Sequence, residues 1–226
     1  MDTPTTRRRA TPRPTERLDR ERQAAPQVFE RLRAMIIALE LPPGSALSRA
    51  DLATRFGVSS TPIRDALMRL AEEGLVDVFP QHATVVSRID VRRALQAHFL
   101  RQALELEIVR ILALAGEKTL VAGLEQLIGR QQQFARAGDF ESFMAADKHD
   151  LWTLVRSRSG HIDRLRRLHL PSPGKAHEIV RHHKLIVKAI GAGRADEAQD
   201  HLRTHLSGTL SDLAAIRADH PDYLSD

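Results

Sequence analysis

The chain has 226 residues, 42% of them hydrophobic and 28% charged, which is enough to bury the core of one large or two modest domains and excludes disorder throughout. Aromatics at 4% favour helices packed through aliphatic side chains, and zero cysteines exclude a disulfide framework, an iron–sulfur cluster, a thiolate zinc site and a cysteine nucleophile. The net charge of +5, from 34 Lys and Arg against 29 Asp and Glu, suits an anionic partner such as nucleic acid or reflects codon bias alone.

Residues 1–22 carry Arg7, Arg8, Arg9, Arg13, Arg17, Arg20 and Arg22 with Pro4, Pro12 and Pro14 and almost no apolar side chains. This composition predicts a disordered basic arm, either touching phosphates without sequence preference or simply solvated. From Val28 the pattern changes: Val28, Leu32, Met35, Ile36 and Leu39 recur at helical spacing until Pro42-Pro43-Gly44 stops the helix. Ser48 then opens a short helix with Leu52, Ala53 and Phe56 on one face, and Gly57 closes it. Ser59, Ser60 or Thr61 can cap the next helix, in which Pro62 suits the first turn and Ile63, Ala66, Leu67 and Leu70 form the apolar stripe. Two short helices around a tight turn are the helix-turn-helix layout. The runs Leu75 to Phe79 and Thr84 to Val86, separated by Pro80-Gln81-His82-Ala83, read as a small hairpin, the wing.

Beyond Asp90 only helical periodicity is found. Helices are expected at 90–115, 118–136, 139–158, 160–168, 175–192 and 195–216, punctuated by glycines and by Pro171-Ser172-Pro173-Gly174. The fold class is therefore mainly α: an arm at 1–22, a winged helix-turn-helix at 23–88, and an all-α bundle at 89–226 large enough for its own core. No stretch approaches the roughly 18 to 20 apolar residues of a membrane span, and a soluble cytoplasmic chain with no membrane partner is expected.

The stretch LELPPGSALSRADLATRFGVSSTPIRDALMRLAEEGLVDVFPQHATVV, from Leu39 to Val86, resembles the winged-helix DNA-binding domain of the GntR transcription regulators. The helical remainder resembles the FCD effector domain of the FadR subgroup, through FLRQALELE at 99–107 and the closing KLIVKAIGAGRADEAQDHLRTHLSGTL. In a helix-turn-helix the second helix lies in the major groove with its N-terminal residues at base edges and phosphates. Those positions here are Ser59, Ser60, Thr61 and Arg64, with Arg64 the candidate for a bidentate guanine or phosphate contact unless it merely pairs with a surface carboxylate. Arg49 is a candidate backbone contact, His82 a candidate wing contact to the minor groove, and Glu72, Glu73 and Asp77 are expected to face away from the duplex. Ser60 stands where the family often has Arg, and Ala83 where the wing tip usually has Gly.

Ten of the eleven histidines follow residue 89. His201 and His205 stand four apart on one helix face and His182 and His183 sit on the preceding helix, so one of each pair either converges inside the bundle or lies on its surface. The resemblance implies a divalent metal ion, zinc- or nickel-like, held by an Asp and a His on one helix and two later His, and aligns the later positions with His183 and His205. GDFESFMAAD at 138–147 places Asp147 at the Asp position, but the His expected four residues on is Leu151, as if about a dozen residues were absent. Either His149 substitutes or the set is incomplete. Arg101 matches the family's Arg-x-x-Leu-Glu and is the candidate fork for a small carboxylate effector, against the alternative of an ordinary intrahelical pair with Glu105. Of Arg164, Arg166 and Arg167, one is a candidate to face inward. The resemblance thus implies a homodimeric repressor that grips a palindromic double-stranded operator and responds to a small organic acid. The alternatives are an effector-independent DNA binder with a degenerate site and a metal-dependent enzyme, the latter weakened by the absence of a His-Glu-x-x-His helix.

Overall fold

The computed structural model describes residues 18–19, 21–79, 83–137 and 158–226. The expected arm before residue 18, His82 of the wing, and the expected helix at 139–158 as far as residue 157, with Asp147, His149 and Leu151, lie outside the described residues. Leu18 packs against the first core and Asp19 is bonded to Gln27, whose amide donates to the carbonyls of Asp19 and Arg22 at 2.8 and 3.0 Å. The docked chain therefore begins before residue 22, because a buried Gln27 offers its donors to backbone that the composition alone marks as arm.

Helix α1 (Ala24–Ile37) ends earlier than its apolar spacing suggests. Leu39 takes a left-handed φ of +60°, an uncommon conformation for a residue with a Cβ, and it breaks the helix ahead of Pro42. Strand β1 (Ala46–Leu47) follows the Pro42-Pro43-Gly44 turn. Ser48 Oγ accepts from the Asp51 amide at 3.2 Å and caps α2 (Arg49–Phe56). Gly57, at φ +64°, ends it in the left-handed region, where glycine carries no Cβ penalty. Helix α3 (Ser60–Glu72) then crosses α1, with Val28, Leu32, Ile36, Ile63, Leu67 and Leu70 in one core. The buried ion pair of Arg33 with Glu73 at 2.7 Å and the stacking of Arg69 over Phe29 at 4.1 Å close that packing. Strands β2 (Val76–Val78) and β3 (Thr84–Val86) form the wing, and the sheet order is β1-β3-β2, antiparallel throughout.

Ile89–Asp90 form β4, followed by the long α4 (Val91–Ala115), α5 (Lys118–Ala137), α6 (Gly160–His169), α7 (Lys175–Gly191), α8 (Ala195–Ser211) and α9 (Leu213–Asp219). The expected helix at 195–216 is thus two helices, broken at Asp212, which also pairs with Lys175 at 3.3 Å. Helix α4 packs on α6, α7 and α8, and α5 on α7. Strand β5 (Leu224–Ser225) returns to pair in parallel with β4, Ile89 opposite Leu224. The apolar clusters separate between Val86 and Ile89.

His161 lies where the two clusters meet, 3% exposed. Its Nδ1 accepts the Asp90 amide at 2.9 Å, so the neutral ring carries its proton on Nε2. Burial, aided by the Arg164 charge, pulls its pKa from 6.5 down to about 3. Between those values the unfolded chain binds a proton that the folded one refuses, so stability falls as pH drops below about 6.5. At about pH 5 the His161 share of the loss is about 2 kcal/mol, and His98, His169, His182 and His205, also lowered chiefly by burial, act in the same direction. Urea unfolding across this range is expected to show a gentler slope in His161→Gln than in the parent; equal slopes would mean His161 titrates normally in the folded chain.

Candidate nucleic-acid interface and histidine cluster

The N-terminus of α3 is the exposed end of the first core. Its capping position is Ser59, in extended conformation, and the Ser59 side chain makes no capping bond. The hydroxyls of Ser59, Ser60 and Thr61 are exposed, and the first-turn amides add the positive end of a 13-residue helix. Arg64, one turn on, is 64% exposed at its side chain and reaches Asp65 at 3.4 Å. A solvated pair at that distance holds an arginine weakly, so the guanidinium can exchange a carboxylate for a phosphate or base edge. Arg49, at the first position of α2, is exposed. Two acids take structural roles away from this end: Glu73 pairs with Arg33, and Asp77 supports the charge of Arg164. Ser60 leaves the first turn of α3 one charge poorer than an arginine would.

In the bundle, His183 of α7 and His205 of α8 come together with Nε2 atoms 3.4 Å apart. His183 Nδ1 is held by Gln131 Oε1 of α5 at 2.8 Å, which places the proton on Nδ1 and leaves the Nε2 lone pair toward His205. His205 Nδ1 is buried with no hydrogen-bond partner among the described residues. Two nitrogens each about 2.0 to 2.1 Å from a tetrahedral ion stand about 3.3 to 3.4 Å apart, so this pair fits two ligands of one divalent ion. Among the described residues no group of three or more His, Asp or Glu is arranged to hold a metal, and Asp147 lies outside them. His182 meets His205 edge-on at 6.1 Å, while His201 turns to Glu197 at 3.5 Å.

Arg101 faces the same interior. Its Nε donates to Glu105 Oε1 at 2.8 Å, both residues being buried. Arg101 is thus both inward-facing and half of an intrahelical pair. Desolvation first, then the charges of His183, Arg166, Arg101 and His182, hold His205 well below the ordinary imidazole range. His98 is lowered by burial and by the charges of Arg101 and Arg166. The sequence reading missed His98, although it stands three residues before Arg101 on one helix face, the spacing that brings side chains together. Of the three arginines at 164–167, Arg164 is the fully buried one, and it points to the boundary between the two clusters instead of to the histidines.

The family model "Bacterial regulatory proteins, gntR family" matches residues 24–86 and the FCD domain model matches 145–208. An uncharacterized HTH-type transcriptional regulator in an unstable DNA locus of Streptomyces ambofaciens is 37% identical over 88% of each chain. The HTH-type transcriptional repressor RspR of Escherichia coli is 26% identical over 88% of this chain and 93% of its own. Among solved structures, E. coli McbR/YncC superposes with a TM-score of 0.69 at 22% identity over 88% of this chain and 99% of that one, and a GntR-type regulator from Rhodococcus with 0.71 at 20% identity, over 84% and 98%.

Breaking the buried Arg101–Glu105 pair from one side leaves a charge in the bundle interior. Glu105→Ala is expected to destabilise by about 3 kcal/mol, and the double substitution Arg101→Met with Glu105→Leu by clearly less, because both charges leave together. Chemical denaturation of the variants checks the order; a double variant less stable than Glu105→Ala would contradict it.

Proposed function

Because the chain belongs to the GntR family of transcriptional regulators and carries an FCD domain, we propose that it is a homodimeric repressor of a palindromic operator, released by a small organic acid. The observation that carries the DNA half is the exposed N-terminus of α3, with three hydroxyls and a loosely held Arg64 on one surface. Arg64 reads a guanine or grips a phosphate, Ser59, Ser60 and Thr61 fix register on the backbone, Arg49 contacts the backbone, and His82, which lies outside the described residues, is the wing contact to the minor groove. The division into a reader at 23–88 and a regulatory bundle at 89–226 is supported by the separation of the apolar clusters between Val86 and Ile89, and composition alone supports the basic arm before them, the end of which docks through Leu18 and Asp19.

A palindrome needs two readers related by a twofold axis. The outer face of α4 supports the second copy: Phe99 is 74% and Leu114 64% exposed, with Leu95, Leu104 and Ile111 beside them. Glu107 and Arg110 lie on the same face, paired at 2.7 Å in solvent, a couple that can exchange partners across a twofold axis.

In the bundle, His183 and His205 with Asp147 would hold a divalent ion, which supplies a positive charge for a carboxylate. Arg101 offers a fork to that carboxylate in competition with Glu105, and Arg166 adds positive charge beside His98, which burial keeps neutral. An acid bound there lowers operator affinity only by preferring the pose that fits the operator poorly.

Selection of duplexes from a random pool with the purified chain gives the operator. Arg64→Ala is expected to weaken that operator by about 1 to 3 kcal/mol, with unchanged thermal stability, and an unchanged footprint would contradict the assignment. Phe99→Glu is expected to shift the sedimenting species toward the monomer. A panel of sugar acids, amino acids and dicarboxylates that left operator binding untouched would favour a regulator without effector.

A further inference from the structure

The segment joining the two cores, Ser87 to Asp90, is held at nearly every backbone polar group. Ser87 donates to the Leu75 carbonyl at 3.0 Å and Ile89 to the Tyr223 carbonyl of the C-terminal segment at 2.7 Å. Asp90 donates to His161 Nδ1 at 2.9 Å. The Ser87 and Arg88 carbonyls accept from the Arg164 guanidinium at 2.7 and 3.4 Å. Ser87 Oγ donates to the Gly74 carbonyl at 2.6 Å and accepts from Arg164 Nη2 at 3.3 Å. Arg164 has no exposed surface and is the largest fully buried side chain among the described residues. Gly160, at the start of the same helix, abuts the first core so closely that a Cβ there would stand 2.6 Å from Leu75 Cδ2. Units joined by a short linker ordinarily swing against each other; here the linker is tied from α6 on one side and from β5 on the other.

We propose that Arg164 is a positioning residue that locks the DNA-reading unit in one pose against the bundle. From α6 its guanidinium holds the linker carbonyls of Ser87 and Arg88 and, through Ser87 Oγ, the Gly74 turn that leads into the wing, so the reader cannot swing without breaking bonds to a buried charge.

The test uses the full chain without DNA or acid. Because the chain has no cysteine, Glu72→Cys and Glu125→Cys place one spin label on each unit, and dilution with unlabelled chain isolates the distance within one protomer. The parent is expected to give one narrow distance distribution. Arg164→Met is expected to broaden it about twofold or more, and Ser87→Ala to broaden it less. Arg164→Lys, which keeps the charge but loses the fork, should fall between the parent and Arg164→Met. A control pair within the reader, Asp51→Cys with Glu72→Cys, should stay narrow in every variant, which a general loosening of the fold would not allow. Should Arg164→Met fail to fold, Ser87→Ala decides alone. A distribution as narrow as the parent's in each variant that folds overturns the proposal, whereas failure of the Arg64 footprint would overturn the DNA reading and leave this distance result standing.

Discussion

A guanidinium with no exposed surface is costly to place, and Arg164 sets the terms on which the rest of the structure is built. Moving a charge out of water costs several kcal/mol after relaxation unless its donors are all met. Burial brings its pKa down to about 10, with the Asp77 charge opposing the shift, so the group stays charged at neutral pH. Its donors are met by carbonyls of Ser87 and Arg88 in the linker and of Gly160 in its own helix. Those carbonyls can converge only if β3 ends, the linker turns and α6 starts in one arrangement. The small residues follow from the same constraint: Gly160 lets α6 reach Leu75, and Ser87 is short enough to bridge Arg164 to the Gly74 carbonyl.

The helix-turn-helix was legible because its signals are local and mutually consistent. A serine cap at Ser48, a left-handed glycine at Gly57 and an apolar stripe from Ile63 to Leu70 each constrain only neighbours a turn away. What escaped the sequence was short or non-local. Strands β1, β4 and β5 are two residues long and carry no periodicity. The parallel pairing of Ile89 with Leu224 joins the beginning and the end of the bundle's stretch of sequence, and nothing near either one announces it. The break at Asp212 escaped for a related reason: its side chain meets Lys175 and, at 3.0 Å, His169, partners that the periodicity of one helix cannot report.

The site divides the same way. Convergence of His183 on His205 followed from i, i+4 spacing and the resemblance together, since spacing alone left His182 and His201 equally eligible. Gln131 decides in favour of His183 by holding its Nδ1, and a glutamine in the middle of α5 gives no sequence signal of that role. Between effector fork and intrahelical pair, the two alternatives for Arg101, the structure shows the pair, buried with Glu105, as a buried arginine needs a counter-charge before any ligand arrives. His98 was overlooked for want of a motif, and the sequence left Arg166 undecided among three arginines; both matter through field and proximity, which composition does not encode.

Net charge was a poor guide to function. The +5 of the chain sits largely in the first 22 residues, and residues 23–88 hold as many acids as bases. In that balance Glu73 neutralises a buried Arg33 and the charge of Asp77 supports a buried Arg164, while Asp65 stays beside Arg64 across a solvated 3.4 Å contact. Arg64 and Arg49 are left in solvent at one end. A domain of zero net charge thus keeps exposed arginines at the starts of α2 and α3, with Glu73 and Asp77 engaged at the core and the junction instead. A substitution of Asp77 made for stability would therefore alter the support of Arg164 as well as the local field of the wing.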